Sequence, residues 1–238
     1  MNKAVTKDEG GWHQSRVGRF YEVTLGKMLQ PTPKNIDDVY VNYMCAANIK
    51  WDGIKLSPLK QMWFTQTELS QYLINIGDLL VTEGGDVGVS SIWNGELDVC
   101  YIQNSVHLVK SNINSTKFLY YWLFNLKSTG WIDNACNKAT IAHFTKEKLE
   151  NAPLLLPTFL EQQKIVTYLD EKCACIDTLI GKITDEISLL HEYCTRMISD
   201  VVTGKMDMRG VTVPKYETEE ETAMENDIGG DEVTVEAD

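Results

Sequence analysis

The strongest constraint in this sequence is a run of apolar residues that recurs at alternating steps of three and four between residues 166 and 201. This spacing is the a/d pattern of a coiled coil, and it predicts one long helix that pairs with another along a seam. An amphipathic helix lying on the preceding domain is the alternative, but it does not require so regular a period. The seam residues are Val166, Leu169, Cys173, Ile176, Ile180, Ile183, Ile187, Leu190, Cys194, Met197 and Val201.

The sequence also predicts where this helix begins and ends. Pro157 excludes a helix immediately before it, and Thr158 with Glu161 forms a capping-box pattern. Gly204 is a typical stop, so the spacer helix is predicted over 158–204. At about 1.5 Å per residue, such a helix is about 60 Å long, more than packing on one small domain requires. The two seam cysteines are interpreted as small apolar side chains rather than reactive groups.

Short β-type runs separated by turns fill the region before the helix, residues 16–157. Helical segments interrupt these runs without alternating regularly with them. The order predicts the α+β class: a mixed, β-rich domain followed by a single long coiled-coil helix. The predicted strands are 40–45, 79–82, 89–93 and 100–110, and the predicted helices are 67–73 and 115–128, the second capped by Thr116.

The formal net charge of −12 at first sight opposes binding to nucleic acid. Residues 211–238, however, hold one lysine and ten acidic residues, a net of −9, which leaves −3 for residues 1–210. We expect 205–238 to be a disordered acidic tail and 1–15 to be a flexible lead-in. Charge therefore does not exclude a DNA-binding role for the domain between them.

Cofactor sites and membrane segments are not expected. The six cysteines form no C-x-x-C pair, and the four histidines are scattered, so we predict reduced thiols and no metal site. No apolar run approaches the about 18 residues of a membrane span, and the N-terminus does not resemble a signal peptide. We therefore expect a cytoplasmic protein with no membrane partner.

Common catalytic motifs are missing from the sequence, so we expect no enzyme activity from the chain itself. The nearest approach to a ligand loop is the glycine-rich segment 77–88, which fits either a tight hairpin between strands or a phosphate cradle. The hairpin is slightly favoured because Glu83 and Asp86 would repel phosphate, although a carboxylate can accept a hydrogen bond from cytosine. An enzymatic alternative makes Gly84 and Gly85 part of a nucleotide site.

Several strings together resemble a known family. They are GDLLVTEGGDVGVSSIWNGE, CYIQNSVHLVK, KATIAHFTKEKLENAPLLLPTFLEQQKIVTYLDEKCACIDTLI and ISDVVTGKMDMRG. From about residue 19 to residue 210, the chain resembles the specificity (S) subunits of type I restriction-modification systems. The junction of LLLP with EQQKIVTYLD and the terminal VTGKMDMRG are the most specific parts of this resemblance.

The resemblance implies that 16–157 is a target recognition domain that reads one half of a bipartite double-stranded DNA sequence. It also implies that the helix is the family's conserved spacer, which docks the modification (M) subunits. In the family, the M subunits use S-adenosylmethionine to methylate adenine, and a restriction (R) subunit uses ATP and Mg²⁺ to translocate and cut DNA. The chain itself is expected to bind none of these cofactors and to belong to a methyltransferase and site-specific deoxyribonuclease complex.

One departure from the family concerns length. A full S subunit has two recognition domains and two helices, whereas this sequence has one of each, a half-length form. It either forms an antiparallel homodimer that reads a palindromic bipartite target, or pairs with a different half-subunit. The homodimer is favoured because the seam is intact. Other open interpretations are a coiled-coil scaffold and an inactive recombination fragment, neither of which binds DNA.

Polar loop residues are candidate DNA contacts, because amide and ammonium groups read base edges and hold phosphates. Lys50 and Lys138 are predicted phosphate contacts, and Gln30, Gln103 and Asn104 are predicted base-edge contacts. Taken singly, such residues are more often solvated surface, and a tryptophan is more often core. The full set is Lys27, Gln30, Thr32, Lys34, Lys50, Trp51, Lys55, Glu83, Gly84, Gly85, Gln103, Asn104, Lys138, Thr140 and His143.

Overall fold

The computed structural model describes residues 11–136 and 142–212 of the chain. Its secondary structure mixes short strands with helices and ends in one long helix. The strands are β1 (His13–Arg16), β2 (Glu22–Leu25), β3 (Val39–Met44), β4 (Ile49–Lys50), β5 (Gly53–Ile54), β6 (Lys60–Phe64), β7 (Leu79–Thr82), β8 (Ser90–Ile92), β9 (Tyr101–Ile102), β10 (Val106–Lys110) and β11 (Pro153–Leu156). The α-helices are α1 (Gln66–Tyr72), α2 (Thr116–Ser128), α3 (Trp131–Ala135), α4 (Lys146–Asn151) and α5 (Phe159–Val202), and short 3-10 turns lie at Val17–Arg19 and Ala46–Asn48.

A four-stranded antiparallel sheet in the order β2-β10-β7-β8 organises the domain. A second sheet, β6-β3-β9, pairs β3 with β6 in antiparallel and with β9 in parallel. Two-stranded pairs, β1 with β11 and β4 with β5, complete the sheets of the described residues. The predicted α+β class is confirmed.

Apolar clusters cover both faces of the central strand β7, whose side chains alternate between the two sides of the four-stranded sheet. Leu79 and Val81 belong to one apolar cluster with Leu119 and Leu123 of α2. Leu80 points into a second cluster, which contains Trp93 among its fully covered side chains. A strand buried on both faces reads as a continuous apolar run, which is why the sequence LLV predicts β7.

The predicted strand 100–110 is wrong as a single element. It is divided into β9 and β10 by a turn at residues 103–105, where the Val106 N–H donates to Gln103 O at 2.9 Å. β9 then pairs with β3, and β10 pairs with β7 and β2. The chain thus changes sheets at this turn, and residue periodicity alone does not reveal such a change.

Side-chain caps fix where the helices start. Ser115 rather than the predicted Thr116 caps α2, since its hydroxyl accepts from the Phe118 N–H at 3.1 Å. At the start of α5 the predicted capping box is confirmed: Glu161 Oε2 accepts from the Thr158 N–H at 2.9 Å. The predicted stop is confirmed too, with Gly204 in the left-handed region at φ 74°.

Contacts divide the chain into two units, residues 1–175 and residues 176–238. The first unit holds the sheets, α1 to α4 and the beginning of α5. The second holds the remainder of α5. The division falls inside α5, whereas the sequence places the domain boundary where that helix begins.

Candidate nucleic-acid interface

Three polar segments predicted from the sequence lie against one another. We call residues 83–85, 103–105 and 143 the turn cluster. The Glu83 N–H donates to Ser105 O at 2.9 Å, and Glu83 O accepts from the Phe144 N–H at 2.8 Å. A Cβ atom at Gly84 would lie 3.8 Å from Nδ1 of His143. The sequence-predicted residues Glu83, Gly84, Gly85, Gln103, Asn104 and His143 are therefore brought to one place.

The chain that follows β2 joins the turn cluster by backbone contact. The Lys27 N–H donates to Ile102 O at 3.1 Å, and Lys27 O accepts from the Asn104 N–H at 2.8 Å. The approach is close because residue 26 is glycine: a Cβ atom there would lie 2.3 Å from Gln103 O. Gly26 is thus required for the crossing of two backbone segments, a role that the sequence does not reveal.

The glycine-rich segment forms a tight hairpin between β7 and β8. Lys127 of α2 holds it, donating to Val87 O and to Asp86 Oδ1, each at 2.9 Å. Burial alone would lower the pKa of Lys127, but hydrogen bonds to Asp133 and Asp86 raise it on balance. The hairpin interpretation is confirmed, and the prediction that this loop contacts DNA stays a prediction.

Glu83 is the acidic group of the turn cluster. Burial raises the pKa of its carboxyl, while the nearby His143 acts in the opposite direction. His143 is exposed, and its carbonyl accepts from Lys148 Nζ at 2.8 Å. A half-buried carboxyl beside an imidazole offers both donor and acceptor capacity, as recognition of base edges requires.

Two of the predicted DNA contacts, Lys27 and Gln30, are buried, each with 5% of its surface exposed. Lys27 Nζ forms an ion pair with Glu68 Oε2 and donates to Gln30 Oε1 at 2.7 Å. Gln30 Nε2 in turn donates to Asp38 Oδ2 at 3.2 Å. Because these groups already have partners inside the protein, the structure gives both residues an internal bracing role in place of a surface contact.

The loop held by this brace, residues 31–37, is exposed. Asp38 Oδ2 accepts from the backbone N–H groups of Lys34 and Asn35, at 2.8 and 3.2 Å. The N–H of Lys34 is the main reason that the pKa of Asp38 is lowered. The side chains of Thr32 and Lys34 are thus carried on an exposed loop whose base is fixed.

The predicted residues at 50, 51 and 55 lie on the β4–β5 hairpin. Lys50 is exposed, and Lys55 pairs with Asp52 at 3.0 Å. Trp51 is half-buried between Tyr120 and Phe124, with ring centroids at 5.6 and 5.0 Å. Trp51 therefore anchors the hairpin to α2, as the core interpretation expects. The remaining two predicted contacts, Lys138 and Thr140, lie outside the described residues.

The heptad seam is exposed over most of its length. Ile176, Ile180, Ile183 and Ile187 expose between 50 and 56% of their surface, and Leu190 exposes 63%. Cys173 and Cys194 are exposed, whereas Leu169 and Val201 are half-buried. At the start of the seam, Val166 packs against the apolar cluster of the domain. A stripe of exposed isoleucine of this length is unusual on a protein surface, and the predicted pairing along it stays a prediction.

Sequence reasoning missed the residues that attach α5 to the domain, Gln162 and Asp170. Gln162 is completely buried and bonded to the start of α2, and Asp170 accepts from Tyr121 Oη at 2.6 Å. One signal was available: Gln162 stands four residues before Val166, where the seam extended backwards would require an apolar side chain. A polar residue at such a position often has a specific buried partner.

Residues 11–136 and 142–212 contain neither a metal-binding cluster nor a membrane-spanning helix. No group of three or more His, Cys, Asp or Glu side chains there could hold a metal ion. In the same ranges, no helix combines the length and the apolar character that crossing a membrane requires.

The arrangement defines a two-part class of protein: a β-rich domain with braced polar loops, continued by a long helix with an exposed apolar seam. The chain belongs to the family of type I restriction modification DNA specificity domains, whose family model matches residues 9–189. The resemblance found in the sequence is thereby confirmed. No match was found among curated proteins.

Solved structures share this fold. A chain from a study of complex assembly and conformational transition of the type I R-M system is similar with a TM-score of 0.63 and 19% identity. The match covers 82% of this chain and 46% of that one. The HsdS subunit from Thermoanaerobacter tengcongensis is similar with a TM-score of 0.51 and 20% identity over 73% of this chain and 40% of that one. The present chain thus spans less than half the length of either structure.

Proposed function

We propose that this chain is a non-catalytic subunit that gives a type I restriction-modification complex its DNA sequence specificity. Its globular domain reads one half of a bipartite target in double-stranded DNA. The observation that carries the proposal is the turn cluster, in which polar loops from distant parts of the sequence are held together and are bonded through the backbone of Lys27 to the segment that braces loop 31–37. Loops that are already held in place on a supporting sheet suit the reading of base edges, because they lose little conformational entropy when DNA binds.

The candidate contacts are assigned two different roles. Thr32, Lys34 and Lys50 are exposed and suit direct contact with phosphates or the groove. Gln103 and Asn104 are half-buried base-edge candidates, although Gln103 Oε1 already accepts from the Ser105 N–H at 3.1 Å. Lys27 and Gln30 are assigned to bracing, since their functional groups are bonded within the protein.

The partner of the long helix is proposed to be a second copy of the chain in antiparallel orientation, which presents two recognition domains to a palindromic bipartite target. The exposed seam supports pairing, and pairing with a different half-subunit is the competing outcome. Spin labels at Thr167, on the exposed side of α5, separate parallel from antiparallel pairs. Labels in a parallel pair lie within about 15 Å of each other, whereas an antiparallel pair places them about 40 Å or more apart.

We further propose that the helix docks M subunits, which bind S-adenosylmethionine and methylate adenine, and that an R subunit adds cleavage with ATP and Mg²⁺. The charge of −3 over residues 1–210 supports weak DNA binding by this chain alone. Tight binding then requires basic surface from the M subunits.

Methylome sequencing of cells with and without the gene tests the proposed function. We expect a bipartite adenine-methylation motif that disappears when the gene is deleted while the M subunit is still expressed. An unchanged methylation pattern contradicts a specificity role. An electrophoretic shift at low salt with the co-expressed M subunit distinguishes a DNA reader from a scaffold, because a scaffold leaves the DNA unshifted.

A further inference from the structure

We propose that Gln162 and Asp170 are positioning residues that set the spacing between the two half-sites of the DNA target. They do so by fixing the first turns of α5 on the recognition domain at two points. The inference rests on the proposed function, since spacing has meaning only where two domains read one bipartite site.

Gln162 provides the first attachment point, and its surface is 0% exposed. Its Oε1 accepts from the Ser115 N–H at 2.9 Å, and its Nε2 donates to Asn114 Oδ1 and Pro157 O, both at 3.0 Å. Since Ser115 caps α2, this amide joins the starts of two helices. An apolar side chain of similar size would fill the space but leave these polar groups without their partner.

Asp170 provides the second attachment point, about 12 Å further along the helix axis at about 1.5 Å per residue. Its Oδ1 accepts from Tyr121 Oη at 2.6 Å and its Oδ2 from Lys117 Nζ at 2.7 Å. Both donors belong to α2. Between the two points, Ile165 and Val166 pack against the apolar cluster that contains Leu119 and Leu123.

Two polar attachments to one helix, with apolar packing between them, resist rocking better than either attachment alone. Adding one base pair to a spacer moves a half-site by about 3.4 Å and turns it by about 34° around the DNA axis. A domain fixed to its helix cannot follow that movement, so only one spacing presents both half-sites correctly. A domain with a loosened attachment can follow it, so loosening should widen the accepted range of spacings and leave the half-site sequences unchanged.

The experiment expresses the full chain with the M subunit of its system in a host without adenine methylation, and sequences the methylome of the host chromosome. The variants are Gln162→Leu, Asp170→Asn and Tyr121→Phe, with Glu171→Gln as an exposed control on the same helix turn. In the three variants we expect the ratio of methylation at spacings one base pair longer or shorter to that at the wild-type spacing to rise at least about tenfold. We expect Glu171→Gln to match the wild type.

The spacing of the methylated sites distinguishes a positioning role from a merely stabilising one. Variants that keep the single wild-type spacing, even with less methylation at every site, overturn the inference, because a merely stabilising role lowers all sites together. If Gln162→Leu does not fold, Asp170→Asn and Tyr121→Phe still test the inference. Both are mild changes, because Asp170 is 36% exposed and Tyr121→Phe removes only one hydroxyl. A wild-type chain that produces no bipartite motif overturns the proposed function instead.

Discussion

The globular domain and the helix beyond Cys175 differ in where their apolar side chains lie. In the domain, Leu79, Leu80 and Val81 of the central strand are 0% exposed. In the helix, Ile180 and Ile183 remain 56 and 55% exposed. The domain thus has an internal source of stability, whereas this part of the helix has apolar surface and no core of its own.

The two regions therefore draw their stability from different contacts. The hydrophobic stabilisation of the domain comes from its own sheet and helices. Isolated helices gain most of their stability from packing against another surface, so we expect the exposed seam to pair with a second helix. We expect changes in the domain to affect its unfolding and changes in the seam to affect association.

Introducing charge into the seam should have the largest effect. Ile183→Asp combined with Ile187→Asp places unpaired carboxylates where two helices would meet, which costs several kcal/mol. We expect the dissociation constant of the paired chains to rise at least about 1,000-fold, measured by light scattering across a concentration series. The melting of the domain should not change.

The matched control for the seam variant is Ser188→Asp combined with Thr195→Asp, which adds the same charges at exposed positions outside the seam. It should leave association within about threefold of the wild type. A seam variant that still pairs, or a control that dissociates equally, contradicts the coiled-coil account.

The fold was largely predictable wherever apolar periodicity dominated. The 3–4 spacing of the seam and the Thr158–Glu161 pattern predicted the helix, and the LLV run predicted the central strand β7. The transition from β9 to β10 was not predictable, because the turn at 103–105 depends on contacts with residues far away in the sequence. One of these is the backbone of Lys27, which pairs with that turn from 76 positions earlier, counting from Gln103.

The second prediction concerns two glycines in opposite surroundings. In Gly26→Ala, the new methyl group would lie 2.3 Å from Gln103 O, so the backbone must move, and we expect a loss of about 3 kcal/mol or more in the free energy of unfolding. In Gly181→Ala, the methyl group meets no atom within 4 Å. That change should favour the helix by about 1 kcal/mol and should not lower domain stability.

Chemical denaturation of both glycine variants measures this contrast. Equal effects of the two substitutions would show that the close approach at Gln103 is not a constraint. Because the Gly26 crossing holds the turn cluster, Gly26→Ala should also reduce half-site selectivity in the methylome, whereas Gly181→Ala should not.

The third prediction tests the buried brace. Lys27→Met leaves Glu68 without its cation, and Glu68→Gln leaves Lys27 without its anion, so each should lower the free energy of unfolding by about 2 kcal/mol. A bracing role predicts similar losses of half-site selectivity for both variants. If Lys27 instead contacts phosphate, Lys27→Met alone reduces DNA affinity and the slope of affinity against salt. Binding of the co-expressed M complex to DNA at several salt concentrations distinguishes the two.

The candidate site was less predictable than the fold. Residue type correctly suggested polar loops, and the structure brings several of them together at the turn cluster. Residue type could not show that Lys27 and Gln30 face inward, because burial of a lysine depends on a partner such as Glu68 that is distant in the sequence. Nor could it show the role of Asp170, whose partners lie on a different helix.

The fourth prediction concerns how the stability of the domain depends on pH. His107 is 0% exposed, its Nε2 lies 2.7 Å from Phe144 O, and its Nδ1 has no hydrogen-bond partner among the described residues. Burial lowers the pKa of His107 below its ordinary value of 6.5, although the bond to Phe144 opposes the shift. Below about pH 6.5 the unfolded chain therefore binds more protons at this residue than the folded domain does.

Domain stability should accordingly fall as the pH decreases below about 6.5, by at most about 1.4 kcal/mol per pH unit from this residue. Above that pH, His107 should contribute no slope. His107→Gln keeps an amide that can donate to Phe144 O but cannot titrate, so chemical denaturation between about pH 5 and about pH 7.5 should show a shallower decline. Identical slopes in the two proteins would mean that His107 gains a proton as readily in the folded domain as in the unfolded chain.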